Sequence, residues 1–326
     1  MRRYLQLRNQ GSDSGQEVIK VSRFRLVLLF AYYAFLLIAY ASYLPHFAVI
    51  TVFPSWSWCI LGWLFTISIP LKSWGKNLKL AFLLSLVVLL FTSEEIYAPV
   101  RWVMALGSKA SEAPYMVSLN CAGGSVAAAQ EAVDTKAEFI FLQESPSEAE
   151  LIKIGKPQGY AVYWGVDGSI LSKQSLSNVR LQKEMDYTSI KSDQIALTSI
   201  RLEPPIFRLD VWNPENWRVQ RDRLIARRAR FAEIIEVARS KGVPTFIAGD
   251  FNAAPTQTSS RRIANAWDIG DAHSLGWGGT AVNEFPFVRI DRIWRLDAKP
   301  DSIRTNQIKV RRTENSDHRM VLYYRD

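Results

Sequence analysis

Apolar residues are unevenly spread along this chain, and the unevenness divides it in two. Arg25–Tyr43 is uncharged after its first residue, Phe47–Pro70 is a second uncharged run, and Leu80–Thr92 with flanks reaching Tyr97 is a third. Crossing a bilayer takes about 20 apolar residues, so the pattern predicts three transmembrane helices rather than core helices of a soluble protein. Trp74 and Trp102 border the runs, as interfacial aromatics do, whereas Trp56, Trp58 and Trp63 lie inside the second and can pack between helices. Beyond Gly107, charged and apolar residues alternate as in a globular domain. The pattern thus predicts a tail and three spans over 1–106, a small polar linker over 107–114 (GSKASEAP) and a soluble domain over 115–326.

In the soluble part strands and helices alternate. Met116–Leu119, Phe139–Gln143, Ser169–Ser172, Ile195–Arg201, Phe207–Trp212, Pro244–Ala248, Arg289–Trp294 and Arg319–Tyr324 read as strands. Val126–Thr135 reads as a helix, and so does Trp217–Lys241, with Leu224, Phe231, Ile234 and Ala238 on one face.

Charge orients the spans. Up to Leu106 there are 10 Lys/Arg against 4 Asp/Glu, and after it 30 against 27. The N-terminal tail (Arg2, Arg3, Arg8, Lys20, Arg23, Arg25) and the second loop (Lys72, Lys76, Lys79) are basic, while Leu44–His46 has no Lys or Arg. The positive-inside rule puts the tail and second loop in the cytoplasm and the domain on the far side, at a bacterial inner membrane facing the periplasm or exterior. Glu94 and Glu95 add little to that orientation. Cys59 and Cys121 make no disulfide framework, and His46, His273 and His318 are too few for a typical zinc site. No HExxH, GxSxG or GxxxxGK[ST] string occurs, which weakens zinc-protease, serine-hydrolase and P-loop readings.

Polar residues collect at strand ends. VSLN ends in Asn120, FIFLQE in Glu144, and FIAGDFN in Asp250 and Asn252, two apart and so on one side of an extended chain. Asp291 interrupts an apolar strand, and Ser316-Asp317-His318 precedes the last one. Charges in such strands are costly unless paired or metal-bound, and oxygen-rich sets suit Mg²⁺ or Mn²⁺. Singly, each has a plainer reading: a solvated turn at Glu144, an Asp/Asn turn at GDFN, a pairing of Asp291 with Arg289 or Arg292.

Together, SLNCAGG, FLQES, GSILSK, PTFIAGDFNAAP, RIDRIW and NSDHRMV resemble the endonuclease/exonuclease/phosphatase superfamily from Tyr115 to the C-terminus. With the spans, the chain is similar to the membrane-anchored teicoplanin-resistance phosphatases. The resemblance implies an α/β four-layer sandwich, two packed mixed β-sheets flanked by helices, and a Mg²⁺- or Mn²⁺-dependent hydrolase. By motif, Glu144 is the principal metal ligand, supported by Asn120 and Asp317. Asp250 positions the water or protonates the leaving group, Asn252 donates to phosphate, and His318 contacts phosphate, oriented by Asp291. The family has a His or Tyr ending the strand before the long helix. With that strand at Phe207–Trp212, Trp212 or Asn213 takes this place as a phosphate contact.

These readings lead to a membrane-anchored phosphoesterase acting on a lipid phosphate or pyrophosphate, with membrane lipids as partners. Trp102, Trp212, Trp217 and the following arginines supply a bilayer-facing surface in that reading. A membrane-tethered nuclease is the alternative, disfavoured by the near-balanced charge of the domain. A catalytically weak binding module is the third reading, raised by Trp212 and Asn213. Arg218, Arg221, Arg223, Arg227, Arg228 and Arg230 read as a solvated helix face partly paired to Asp222 and Glu233, ahead of an interfacial or nucleic-acid role.

Overall fold

The computed structural model describes residues 24, 26–67, 74–93, 100, 103, 113–253, 266–268, 274–275, 278–284, 286, 288–296 and 308–325. The basic tail, the Lys72 loop, Trp102 and most of the expected linker lie outside these. The chain divides into two compact units, Met1–Ser93 and Glu94–Asp326.

The first unit is helical: α1 (26–41), a short turn of helix over Pro45–Thr51, α2 (Ser55–Ile67) and α3 (Trp74–Thr92). Among the described residues no single helix is long and apolar enough to cross a membrane. The second expected span is not one helix. Pro45–Thr51 and Ser55–Phe65 pass the test together but meet at a 66° bend. Pro54 sits in that break, and a proline ring cannot share a continuous helical ladder with the preceding turn. Large apolar side chains project outward from all three helices, among them Phe24, Ile38, Leu64, Phe82 and Phe91. The indoles of Trp58 and Trp63 donate to Ile50 O (3.0 Å) and Ser85 Oγ (3.1 Å), so both tie helical segments together.

The second unit is built on two mixed sheets. One contains β1 (Met116–Asn120), β2 (Phe139–Gln143), β3 (Ala161–Tyr163), β4 (Gly168–Ser172), β10 (Ser274–Leu275), β12 (Ile308–Arg311) and β13 (Met320–Tyr323), in the order β10-β12-β13-β1-β2-β4-β3. The other contains β5 (Arg180–Lys183), β6 (Tyr187–Lys191), β7 (Ala196–Arg201), β8 (Thr245–Asp250), β9 (Ala266–Asp268) and β11 (Asp291–Leu296), in the order β5-β6-β7-β8-β11-β9. The two sheets face each other across Phe139, Phe141, Ile170, Leu197, Phe246 and Ile293. Two capped helices, α4 (Val126–Val133) and α5 (Glu148–Gly155), cover the outer face of the first sheet through Ala128, Ala132 and Leu151. The second sheet is covered by α6 (Pro214–Ala238) through Phe231, Ile234 and Ala238. This is the expected four-layer order.

The inward rows of the central strands share one gradient. Residues two apart share a face, and on β1 that row reads Met116, Ser118, Asn120; on β2 it reads Phe139, Phe141, Gln143. On β7 it is Leu197, Ser199, Arg201, level with Phe246, Ala248, Asp250 on β8. Antiparallel β11 continues it in reverse, Asp291 opposite Asp250 and Ile293 opposite Ala248. The space between the sheets is therefore apolar at one end and charged at the other. Gly249 makes the β7–β8 approach possible, since a Cβ there would lie 1.9 Å from Ile200 O.

Phe207–Trp212 is not a strand. Pro204 and Pro205 precede it and lack ladder donors, and Asn213 N donates to Asp210 O (3.0 Å), closing a turn. The alternation of Phe207, Leu209 and Val211 suggests a strand, but among the described residues no strand pairs with it. Conversely β3, β5, β6 and β12 are short or polar stretches that pairing alone makes strands.

Candidate active site

At the charged end, each strand terminus delivers one polar side chain. Asn120 ends β1, and its Nδ2 donates to Glu144 Oε1 (3.1 Å) and to Asp250 Oδ2 (3.1 Å), joining the two sheets. Its Oδ1 accepts from Ala122 N (2.9 Å). Glu144 follows β2 with φ +43, a left-handed conformation costly for any residue that carries a Cβ. Backbone bonds hold it there, Glu144 N to Asp167 O and Gly124 N to Glu144 O. Burial raises the Glu144 pKa, but Asn120, Arg201, the Gly123 N–H (2.7 Å to Oε2) and the charge of His318 together lower it below the ordinary value.

Asp250 ends β8, fully buried. Burial and the neighbouring Asp291 push its pKa up to about 7, against opposing effects of His318, the Asn252 N–H and Asn120. Asn252 is not on the same side of an extended strand. It has φ +47, and its N–H closes a turn onto Asp250 Oδ1 (2.8 Å). Its Nδ2 then donates to Leu202 O (2.8 Å) and Asp250 Oδ2 (3.1 Å), so the amide orients the acid. From α6, Arg227 Nη1 donates to Asn252 O (2.9 Å), so this arginine braces the site rather than belonging to a solvated face.

Asp291 begins β11 and pairs with His318 Nδ1 (2.8 Å); Arg292 instead donates to the Ala253 and Arg289 carbonyls. Asp291 Oδ1 is buried with no hydrogen-bond partner among the described residues. Burial lowers the His318 pKa, but the charge and hydrogen bond of Asp291, with Asp250 and Asp317, raise it to about 10. Ser316 holds the loop, donating to Asn120 O (2.7 Å) and accepting from His318 N (3.0 Å). Donor atoms of Asp250, Asp291 and His318 lie within 4.8 Å of one another.

Asn120, Glu144, Asp250, Asn252, Asp291 and His318 are thus brought together. Asp317 is exposed, and its charge acts on His318. Asn213 is instead the N-cap of α6, accepting from Glu215 N (3.0 Å) and donating to Asp210. Trp212 stands 79% exposed on the preceding turn. Among the described residues neither makes a hydrogen bond to the site residues. The strand before the long helix is β7, and it ends in Arg201, which the sequence reading passed over. Arg201 bridges Glu144 (2.8 Å) and Asp167 (3.3 Å). The Leu197-x-Ser199-x-Arg201 alternation, matching Phe246-x-Ala248-x-Asp250, is the signal that marks it.

No curated protein matches the chain. Among solved structures it is similar to TDP2 from Caenorhabditis elegans (17% identity, 73% of this chain, 82% of that one, TM-score 0.46). A humanized D. rerio TDP2 is also similar (14% identity, 63% and 96%, TM-score 0.44). So is an endonuclease/exonuclease/phosphatase family protein from Bacteroides thetaiotaomicron (13% identity, 65% and 97%, TM-score 0.43). Residues 117–318, from β1 to the histidine that Asp291 holds, match the Endonuclease/Exonuclease/phosphatase family, and the chain belongs to that family.

Proposed function

We propose that this chain is a divalent-cation-dependent phosphoesterase, anchored in a membrane, that hydrolyses a phosphate or pyrophosphate group carried by a lipid. The observation that supports it most is the Asn120–Glu144–Asp250 network beside the Asp291–His318 pair. The residues fit a hard cation such as Mg²⁺ or Mn²⁺: Glu144 and Asp317 offer carboxylate oxygens and Asn120 an amide oxygen, and Asn120, Arg201 and the Gly123 N–H favour the ionised form of Glu144. Glu144, Asn120 and Asp317 would hold it. When bound, the cation supplies positive charge against the phosphate oxygens.

The chain's own residues do the rest. His318, kept protonated by Asp291, donates to a phosphate oxygen as negative charge builds there. Asp250, whose proton affinity lies near neutrality, takes a proton from the attacking water or returns one to the leaving oxygen. Asn120 and Asn252 hold Asp250 for that transfer.

Two observations favour a lipid. The first unit exposes large apolar side chains around its helices, which lipid would cover. In the catalytic unit, Phe207, Leu209 and Trp212 are exposed on the turn before α6, large apolar side chains suited to an interface. Many helix arginines are already neutralised, Arg218 by Glu215, Arg223 by Glu203 and Arg230 by Asp186 and Glu233, which lowers the net charge this helix offers a duplex.

The test compares purified full-length protein with Mg²⁺ on a lipid pyrophosphate in detergent, a soluble phosphodiester and plasmid DNA. Phosphate release from the lipid is expected to be fastest. Efficient plasmid cutting with no phosphate from the lipid would transfer the assignment to the tethered nuclease. Anchoring and orientation are read separately. Alkaline phosphatase fused after Asp326 is expected to be active in a bacterial host, and an inactive fusion would place the domain in the cytoplasm.

A further inference from the structure

We propose that Arg201 is a receptor for the substrate's phosphate, held in reserve by two carboxylates, and that it selects a terminal, doubly charged phosphate over an internal diester. The inference rests on the phosphoesterase reading and names its substrate class.

Three features carry it. Arg201 lies level with Asp250 in the β7–β8 register, so its guanidinium rises from the same charged end of the sheets. Its side chain is 26% exposed, its Nη2 on Glu144 Oε1 and its Nη1 on Asp167 Oδ2. Its Nε is buried with no hydrogen-bond partner among the described residues. A guanidinium offers five N–H donors in a planar fork, and these two contacts leave donors over. Glu144 does not depend on it, because Asn120 Nδ2 and Gly123 N also hold its two oxygens. Asp167 is a second acceptor on which the guanidinium can pivot.

The charge pattern explains why the group would be kept. Glu144, Asp167, Asp250 and Asp291 crowd this end, and among the described residues His318 and Arg201 are the side-chain cations in contact with them. His318 is fixed from behind by fully buried Asp291. Arg201 sits instead between two partly exposed acids. The guanidinium fork matches two oxygens of one phosphate, and a terminal phosphate presents them with two charges. An internal diester presents one charge on the same two oxygens, so attraction to the guanidinium is roughly halved.

The experiment uses full-length protein in detergent micelles. Wild type, Arg201→Gln, Arg201→Lys and Asp167→Asn are compared on p-nitrophenyl phosphate and bis(p-nitrophenyl) phosphate. Binding of inorganic phosphate is measured by calorimetry, and binding of Mn²⁺ alone by electron paramagnetic resonance. Arg201→Gln is expected to weaken inorganic phosphate and raise the monoester KM by about tenfold or more, to change the diester KM less than about threefold, and to leave Mn²⁺ affinity within about threefold. Arg201→Lys should recover part of the phosphate affinity. Asp167→Asn, which keeps the arginine and frees one arm, should bind phosphate at least as tightly as wild type. Equal losses on both esters, a tenfold loss of Mn²⁺ affinity in Arg201→Gln, or a tenfold loss of phosphate in Asp167→Asn each overturn the proposal. A wild type that binds phosphate through Arg201 yet hydrolyses neither ester nor lipid would instead overturn the phosphoesterase reading.

Discussion

Alanine at Glu144, Asp250 or His318 is expected to lower kcat by about a hundredfold or more, and chelation with EDTA to abolish turnover until Mg²⁺ or Mn²⁺ is returned. The three replacements act differently. Glu144→Ala removes the carboxylate on which Asn120, Gly123 and Arg201 converge. Asp250→Ala removes a buried acid whose pKa is pushed up to about 7, and leaves the Asn120 and Asn252 amides facing a gap. His318→Ala removes the donor that Asp291 maintains and leaves that carboxylate buried and unpaired, so this variant should also lose stability. Steady-state kinetics with near-ultraviolet circular dichroism on each variant separates lost chemistry from lost folding. Full activity in EDTA, or a well-folded alanine variant within tenfold of wild type, would sink the assignment.

The second large effect is expected from Asp291→Asn. Asn can still accept from His318 Nδ1, so the ring keeps its orientation, but the charge that raises its pKa is gone. Burial then acts against a weaker opposition, and the His318 pKa should fall from about 10 by more than one unit. The sign for stability follows. A histidine whose folded pKa is raised contributes stability fully present below its unfolded value, about 6.5, and lost as pH rises through about 10. Wild type should therefore lose stability between those limits, and Asp291→Asn should show a flatter profile. Activity should be lost at a lower pH than in wild type, because the imidazolium titrates earlier. Replacing His46 and His273 leaves one imidazole, whose nuclear magnetic resonance titration reads the pKa directly. An unshifted titration would mean that Asp291 orients His318 without charging it.

Much of the site is legible in the sequence because its residues stand at the ends of strongly apolar strands. Asn120, Glu144 and Asp250 each follow a run that reads as buried, and a charge there demands a partner. Asp291 and His318 are legible for the same reason, although their 2.8 Å pairing is a matter of chain folding across 27 positions. Arg201 is not legible, because an arginine ending a strand usually reaches solvent and because Phe207, Leu209 and Val211 mimic the alternation of a further strand. Asn213 reads as a phosphate contact while that false strand stands. Once the segment is a turn, the same residue two before Glu215 is a helix cap.

Local features are legible in the chain alone: the apolar runs of the first unit, the strands β1, β2, β4, β7, β8, β11 and β13, the buried face of α6, and the acids and amides at strand ends. Each follows from side-chain periodicity and from the cost of burying an unpaired charge. The remaining features depend on neighbours distant in sequence. Pairing made strands of Arg180–Lys183 and Ile308–Arg311, whose own residues carry little apolar signal. The bend between Pro45–Thr51 and Ser55–Phe65 divided a run that hydropathy alone reads as continuous. The turn at Asn252 brought its amide back onto Asp250 where an extended chain would not. Arg201 became part of the site because the β7–β8 register sets it beside Asp250, and its side chain reaches Glu144 on the facing sheet. Register and sheet packing are long-range properties, and no short window of the chain contains both partners.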